Sequence, residues 1–274
     1  MEVWRINLQS MSHEEYADIM EQVKCACDRM VEKGMEHPTI FEVETAMAFL
    51  YFYQKKCDYL HVHAMEQNVQ LGRALAKGVE LCQYDLIARM DTDDISRPDR
   101  CEKQLKVFMV NPELSIVGAW VDEFNKSQDE IVSTRAVPET NKEIYDFAKK
   151  RSAFNHPVVM YIKSKVLENG GYSDLRRNQD VDLFGRMLFN GCKAYNIQES
   201  LLWFRSNDDL AKRRKSWENT KSYISTIKKF WKMGYASWGN YVSVAIAQTG
   251  MFLLPVKIQQ WIYKKFLRKN NKIE

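Results

Sequence analysis

The spacing of apolar residues in the middle of the chain alternates between the periods of a helix and of a strand. Apolar residues recur at helical spacing over 71–82, and residues 85–90 form a short apolar run typical of a buried strand. A helix over 96–110 and a strand over 114–121 follow in the same order. This alternation predicts an α/β fold with a mostly parallel sheet flanked by helices, in which ligands bind beyond the carboxyl ends of the strands.

The alternating pattern continues to about residue 210. Thr140 and Glu143 have the spacing of a capping box, which predicts the start of another helix. The later elements are predicted to be a strand over 157–162, a helix over 179–190 ended by Gly191, and a strand over 201–204.

The first sixty residues are predicted to be mainly helical. A capping box at Ser12 and Glu15 opens one helix, and a second box at Thr39 and Glu42 opens another over 41–54. Because this second helix is apolar on nearly all of its faces, we expect a partner surface to bury it.

The C-terminal segment combines helical periodicity with basic charge. A helix is predicted over 216–233, and an apolar stretch over 241–256 follows, which Gly250 and Pro255 interrupt. This stretch is too short and too interrupted to predict a transmembrane span. Residues 205–274 hold 15 Lys or Arg against 4 Asp or Glu, a net charge of +11 that leaves −7 for the rest of the chain.

Composition excludes a disordered chain, and the cysteines and the N-terminus argue against a secreted, disulfide-bonded protein. A hydrophobic content of 45% with 28% charged residues is typical of a folded chain, and 274 residues suffice for one domain with an appendage. The six cysteines have no framework spacing, and residues 1–10 lack the apolar run of a signal peptide. We therefore expect a reducing, cytoplasmic location.

Three carboxylates crowd together directly after the predicted strand at 85–90. Asp91, Asp93 and Asp94 would repel one another unless hydrogen-bond donors or a cation compensate. Mg²⁺ and Mn²⁺ use one or two protein carboxylates and take further ligands from substrate phosphate, so the spacing suits a diphosphate-bearing substrate. The alternative is a surface turn whose Asp side chains cap the following helix.

The acidic turn lies within a longer run of recognisable motifs. The segments Asn68-Val-Gln-Leu-Gly-Arg-Ala-Leu-Ala-Lys-Gly78 and Ala88-Arg-Met-Asp-Thr-Asp-Asp94 resemble the donor half of family-2 glycosyltransferases with the GT-A fold, although Gln70 stands where that family has a Gly. The likeness continues in order through residues 116–120, 154–157, 170–172, 178–183 and 196–205, and it covers roughly three quarters of the chain.

The resemblance implies a role for each of several residues. Asp93 would ligate Mg²⁺ or Mn²⁺ with Asp91, and Asp91 would also contact the donor. His156 would lie near the acceptor. Further donor-binding residues implied by the motifs are Asn68, Gly72, Arg89 and Arg205. A loop histidine before a proline and a surface arginine at a strand end are the alternative interpretations of His156 and Arg205.

Asp180 is the residue that the resemblance implies as general base. It would take the proton from an acceptor hydroxyl as the oxygen attacks the anomeric carbon, and this single displacement would invert the configuration. The alternative is a carboxylate placed at a helix N-terminus because the helix dipole favours negative charge there.

The N-terminal segment departs from this family. Residues 12–60, including Cys27-Asp-Arg-Met-Val31 and Thr45-Ala-Met-Ala-Phe-Leu-Tyr-Phe52, resemble an internal piece of folylpolyglutamate synthase, a relative of the Mur ligases. The first donor-binding strands of the glycosyltransferase family are not recognisable, which would leave a sheet edge unpaired unless residues 59–63 form a strand there. The predicted division is a helical segment 1–62, a catalytic domain 63–210 and a basic amphipathic helical tail 211–274.

The basic tail has two alternative interpretations. Its aromatic and aliphatic residues alternate with lysines, as in helices that lie in a membrane interface, and this would place the protein on the inner face of the cell membrane. The other interpretation is a helix packed on the catalytic domain with a solvated charged face. Nucleic-acid binding is not expected, because no reader motif accompanies the charge.

Together these features predict a metal-dependent, inverting glycosyltransferase that acts in cell-surface polysaccharide synthesis. Its donor would be a nucleoside diphosphate-sugar, with a UDP-sugar favoured, and its acceptor a saccharide or a lipid-linked saccharide. The alternatives are a catalytically impaired chain that acts as a binding module and, less favoured, a folylpolyglutamate synthase-type ligase, for which a phosphate loop is missing.

Overall fold

The chain divides into two units, Met1–Glu66 and Gln67–Glu274. The computed structural model describes residues 5–6, 9–10, 12–38, 43, 46–47, 50–51, 54, 65, 67–125, 127–206, 216–255, 258–259 and 262. The strand predicted at 59–63, the capping box predicted at Thr39 and the basic end of the tail lie outside these residues.

The N-terminal unit is built on helix α1 (His13–Glu32). The Ser12 side chain accepts the Glu15 backbone N–H, and the Glu15 carboxylate accepts the Ser12 backbone N–H, so the predicted capping box is confirmed. The buried face of α1 packs against Met47 and Tyr51 of the second predicted helix, which are helical and at most 3% exposed. The short strands β1 (Arg5–Ile6) and β2 (Gln9–Ser10) pair with each other.

The second unit contains a sheet flanked by helices. Its strands run in the order β3-β7-β5-β8-β4, with β6 paired to β5. The strands are β3 (Leu86–Ala88), β4 (Ile95–Ser96), β5 (Leu114–Phe124), β6 (Ile131–Arg135), β7 (Met160–Ile162) and β8 (Lys193–Arg205). The helices are α2 (Gln70–Leu81), α3 (Arg100–Val110), α4 (Asn141–Ala148), α5 (Lys163–Glu168), α6 (Gln179–Phe189), α7 (Trp217–Lys232) and α8 (Trp238–Leu253).

The predicted α/β class is confirmed, but the sheet is mixed rather than mostly parallel. Strands β3, β5 and β8 run in one direction, and β5 and β8 pair in parallel along most of their length. Strand β7 lies antiparallel between β3 and β5. It is three residues long and follows a 3-10 turn at His156–Val158, so it enters the sheet without the crossover helix that a parallel strand needs. Within the described residues β3 is an edge strand.

The main core of this unit takes in the C-terminal helix α7. Ile227 and Phe230 are fully buried in the same apolar cluster as Leu183 and Met187 of α6. The apolar face of α7 is therefore covered by protein, as in the packed interpretation of the tail, and the membrane interpretation does not apply to that face. Over the part of the chain that the structure describes, no helix combines the length and the apolar content that crossing a membrane requires.

Gln70 has a backbone conformation that favours glycine. Its φ is +65°, in the left-handed region, and the Asn68 side chain accepts its backbone N–H at 3.0 Å as α2 begins. A side chain in this region costs about 1 kcal/mol relative to glycine. The glycine that the resembled family has at this position would therefore be the more favourable residue for this turn.

Candidate active site

The acidic turn follows β3 at the edge where the carboxyl ends of β3, β5 and β8 meet. Oxygen atoms of Asp91, Asp93 and Asp94 lie within 4.8 Å of one another. Asp93 is exposed, Asp91 is half-buried and Asp94 is 5% exposed. The turn thus presents carboxylates to solvent from one side and anchors itself with a buried carboxylate on the other.

Asp94 is a buried carboxylate whose described protein partners satisfy only one of its two oxygens. One of its oxygens accepts the backbone N–H of Arg205 at 3.0 Å, and the other is buried without a hydrogen-bond partner among the described residues. Burial, together with the charges of Asp93 and Asp91, raises the pKa of Asp94 to about 7. A set of three carboxylates with one unpartnered buried oxygen fits a hard divalent cation such as Mg²⁺ or Mn²⁺.

Two of the predicted arginines lie on this turn. Arg89 donates two hydrogen bonds to the carboxylate of Asp91, at 2.8 and 2.5 Å, from a side chain that is 5% exposed. Arg205, at the end of β8, donates from Nε to the main-chain carbonyl of Asp93 at 3.0 Å. Its guanidinium also lies 4.8 Å from the ring centre of Phe124.

Asp180 occupies the first turn of α6, which begins after Asn178 in a left-handed conformation. The residue is half-buried. Burial raises the pKa of Asp180, and backbone N–H groups and the charges of Arg135 and Arg89 partly offset this rise. A raised pKa brings a carboxylate closer to the value that suits a general base near neutral pH.

His156 lies in the 3-10 turn before β7 and contacts an aromatic residue from another loop. Its Nε2 and the hydroxyl of Tyr172 are 2.8 Å apart. Burial, and to a smaller extent the charge of Arg89, lowers the pKa of His156 well below its usual value, so the ring is neutral. Burial raises the pKa of Tyr172 well above its usual value, so its hydroxyl stays protonated.

Arg89 lies between the acidic turn and the segment that carries His156. Its side chain binds the acidic turn, and its backbone N–H donates to the carbonyl of Val159 at 3.0 Å, three residues after His156. The His156 ring in turn lies 5.9 Å, centre to centre, from the ring of Phe184, which is one turn of α6 after Asp180. Hydrogen bonds and a ring contact thus connect the acidic turn with the segments that carry His156 and Asp180.

Asn68 and Gly72 have structural functions at the start of α2. Asn68 is exposed and closes the turn at Gln70. A Cβ on Gly72 would lie 2.7 Å from the carbonyl oxygen of Ser173 and 3.0 Å from that of Leu175, so only glycine allows this approach. Their contact with the donor stays a prediction.

Two residues of the site had no predicted role, and the burial of a third was not predicted. Asp94 belongs to the acidic run that was expected to need a cation, but its burial was not visible in the sequence. Tyr172 was part of a Gly-Gly-Tyr motif and had no predicted role. Arg135, at the end of β6, carries no motif and could be found only from the hairpin that pairs β6 with β5.

The fold is the GT-A fold of glycosyltransferases. A mannosyltransferase from Pyrobaculum calidifontis in complex with GDP-Man and Mn²⁺ shares the fold, with a TM-score of 0.51 and 11% identity over 89% of this chain and 68% of that one. At this identity the likeness concerns the fold alone.

The sequence comparisons establish the family. The model of glycosyl transferase family 2 matches residues 48–171. A UDP-Gal:alpha-D-GlcNAc-diphosphoundecaprenol beta-1,3-galactosyltransferase of Escherichia coli is 34% identical over 213 residues, 77% of each chain. An amylovoran biosynthesis glycosyltransferase of Erwinia amylovora is 32% identical over 201 residues, 73% of this chain and 75% of that one. The chain belongs to glycosyltransferase family 2, and its prediction as an enzyme of this class is confirmed.

The family model does not begin at the predicted start of the catalytic domain. It begins at residue 48, inside the segment that resembles folylpolyglutamate synthase, whereas the catalytic domain is predicted from residue 63. The predicted division of the chain stays a prediction, as does the resemblance of residues 12–60 to the ligase.

Proposed function

We propose that the chain transfers a sugar from a nucleoside diphosphate-sugar, preferably a UDP-sugar, to a hydroxyl group of a saccharide or lipid-linked saccharide in cell-surface polysaccharide synthesis. The observation that carries this proposal is the buried Arg89, whose side chain binds Asp91 in the acidic turn and whose backbone N–H binds Val159 in the segment that follows His156. The donor and acceptor in the name of the Escherichia coli relative, UDP-Gal and GlcNAc-diphosphoundecaprenol, support the choice of substrates.

In the proposed reaction Asp180 takes the proton of the acceptor hydroxyl. The oxygen bonds to the anomeric carbon, the bond from that carbon to the diphosphate breaks, and the configuration inverts. Asp93 and Asp91 would hold the divalent cation, which would stabilise the charge on the departing diphosphate. Arg89, Arg205, Asn68 and Gly72 would bind the donor.

His156 is proposed to contact the acceptor. Its neutral ring is held by Tyr172, so one ring nitrogen is engaged and the other can form a hydrogen bond with a sugar hydroxyl. This arrangement fits a neutral polyhydroxyl acceptor rather than a charged group.

Removal of the cation tests the proposal directly. We expect the chain to release UDP from a UDP-sugar in the presence of a diphosphate-lipid-linked acceptor and Mn²⁺. This release should stop when EDTA is added. Asp93→Asn should lower kcat/KM by about a hundredfold or more, because cation stabilisation of a leaving group is worth several kcal/mol. The matched control is Asp99→Asn, a nearby partly exposed carboxylate paired with Lys103.

The outcomes separate the alternatives. Transfer that continues unchanged in EDTA would contradict the metal-dependent proposal. A chain that binds UDP with Mn²⁺ but transfers no sugar would be a binding module, and glutamate addition to a folate with ATP would indicate the ligase.

The proposed acceptor implies contact with a membrane, and α8 offers a surface for it. This helix contains no charged residue, and Trp238, Ile246 and Leu253 on it are 62%, 70% and 74% exposed. The preceding helix exposes Lys228 and Lys232, and further lysines follow α8 in the sequence. Apolar residues beside lysines are suited to the interface of an anionic bilayer, here proposed as the inner face of the cell membrane.

Vesicle flotation measures this contact. We expect the chain to float with vesicles containing anionic lipid, and less at high salt. The double variant Trp238→Ser with Ile246→Ser should weaken binding by about tenfold or more, since each apolar side chain contributes about 1.5–3 kcal/mol when buried. The matched control is Met109→Ser with Val110→Ser, which removes two equally exposed apolar residues from α3. Equal binding by both variants would exclude α8 as the membrane surface.

A further inference from the structure

A buried carboxylate lies two residues after Asp180 and has three partners from three parts of the chain. Asp182 is 1% exposed and accepts from Lys229 of α7 at 2.5 Å, from the Ser173 hydroxyl at 2.5 Å and from Arg186 at 2.9 Å. Burial alone would raise its pKa, but the hydrogen bonds from Lys229 and Ser173 outweigh burial and lower it. Asp182 is therefore an ionised buried carboxylate whose charge is compensated by Lys229 and Arg186. We call this carboxylate the anchor.

The anchor is connected to one loop, residues 169–175. Arg186, held by Asp182, donates hydrogen bonds to the main-chain carbonyl of Asn169, to that of Gly171 at 2.7 Å and to the Ser173 hydroxyl at 3.2 Å. Because Ser173 also binds Asp182 directly, the loop is tied at several points to one ion-paired group.

The loop touches both halves of the candidate active site. Tyr172 extends from it to His156, with 2.8 Å between the hydroxyl and Nε2. On its other side, the carbonyls of Ser173 and Leu175 lie directly against Gly72 at the start of α2. A displacement of this loop would therefore move the group that holds His156 and the surface that supports the predicted donor helix.

We propose that Lys229 is a positioning residue, which acts through Asp182 to hold the 169–175 loop in the geometry that substrate binding requires. The inference rests on the proposed function, because it gives the C-terminal helix α7 a part in that same site. Lys229 touches neither Asp180 nor His156 in the contacts described, so its effect on substrates must pass through Asp182 and the loop.

Lys229 differs from an ordinary surface lysine because its partner is buried. A surface ion pair between two exposed groups contributes little, and Lys229 is itself 49% exposed. Its partner is 1% exposed, however, so loss of the ammonium leaves a buried carboxylate with one cation fewer. Arg186, which binds the loop, and Ser173, which belongs to it, share this carboxylate, so loss of the ammonium should weaken the hold on the loop.

The test compares Lys229→Met, Lys229→Arg and Lys221→Met in the full chain. Lys221 is an exposed lysine two turns earlier on the same helix and serves as the matched control. Lys229→Met should speed hydrogen–deuterium exchange in the peptide covering residues 169–175, and should raise the acceptor KM and the Kd for UDP with Mn²⁺ by about tenfold, the low end of the cost of losing a supporting residue. Lys229→Arg should keep both at the parent values, and Lys221→Met should resemble the parent.

Three outcomes would overturn the proposal. Exchange in 169–175 that is unchanged in Lys229→Met would show that the loop does not depend on this lysine. A lower Tm and lower kcat with unchanged KM and Kd would show a residue that only stabilises the fold, as would failure of Lys229→Arg to keep exchange at the parent value. The exchange measurement needs no turnover, so a parent chain that transfers no sugar but shows the loop effect would refute the proposed function and leave the coupling of Lys229 to the loop established.

Discussion

Asp180→Asn is expected to lower kcat for sugar transfer by about a thousandfold, while the Kd for UDP with Mn²⁺ stays within about twofold of the parent value. The substitution keeps the size of the side chain and its ability to accept the backbone N–H of Val181, so α6 should keep its start. It removes the one function that an amide cannot supply, which is to accept the proton of the acceptor hydroxyl. Initial rates at saturating donor and acceptor measure the effect.

Asp146→Asn is the matched control for this prediction. Asp146 is exposed on α4 and pairs with Lys149 of the same segment, so its loss should change kcat by less than about twofold. If Asp180→Asn retained parent activity, the base would have to be another group. His156 would then be the next candidate, and His156→Asn would have to lose the activity that Asp180→Asn kept.

The pH profile follows from the same carboxyl group. A general base works in its ionised form, so transfer is lost as the pH falls through the pKa of Asp180. Because burial raises this pKa, we expect the acidic limb of kcat/KM to lie above the usual range of an aspartate. The limb should disappear from the residual activity of Asp180→Asn.

Local sequence signals predicted the helix starts well. The boxes at Ser12 and Thr140 form with both of their hydrogen bonds, and helix α6 spans 179–189 against a predicted 179–190. These features depend on contacts within one turn of the chain, and such contacts are fixed by residues that lie three or four positions apart.

Contacts between distant segments could not be predicted in the same way. The position of β7 between β3 and β5 depends on pairings across the sheet, and a three-residue strand carries too little pattern to specify its neighbours. The amphipathic face of α7 fitted both a membrane and a protein core, because periodicity identifies an apolar face without identifying what covers it.

The same distinction between local and distant contacts applies to the candidate site. The carboxylates at 91–94 were visible because they are adjacent in sequence and follow a strand. The position of Arg89 beside the segment of His156 was not, since it arises only after β3 and β7 have paired. The family resemblance implied the residues, and the fold shows which of their segments are neighbours.

Gly185→Ala is expected to destabilise the second unit by about 3 kcal/mol, because the added methyl group has no room. A Cβ at Gly185 of α6 would lie 2.0 Å from the Phe230 ring of α7, where contacts shorter than 3.0 Å are essentially never observed. Phe230 is fully buried and its ring packs edge-on against Tyr235, so it cannot turn aside. Thermal unfolding should show a fall in Tm of roughly 10 °C.

Gly78→Ala gives the opposite expectation with the same chemical change. Gly78 lies within α2 with nothing near the position of an added Cβ, so alanine should stabilise the unit by about 0.5–1 kcal/mol through helix propensity.

Adding Phe230→Leu to Gly185→Ala should recover part of the lost Tm, since a smaller side chain relieves the clash at the cost of some packing. A Tm for Gly185→Ala equal to that of the parent would mean that α6 and α7 are not in contact at Gly185. Because Phe230 is next to Lys229, Gly185→Ala should also loosen the 169–175 loop. Its effect on that loop should exceed that of Lys229→Met, since Gly185→Ala displaces the helix that carries the lysine, whereas Lys229→Met changes one side chain.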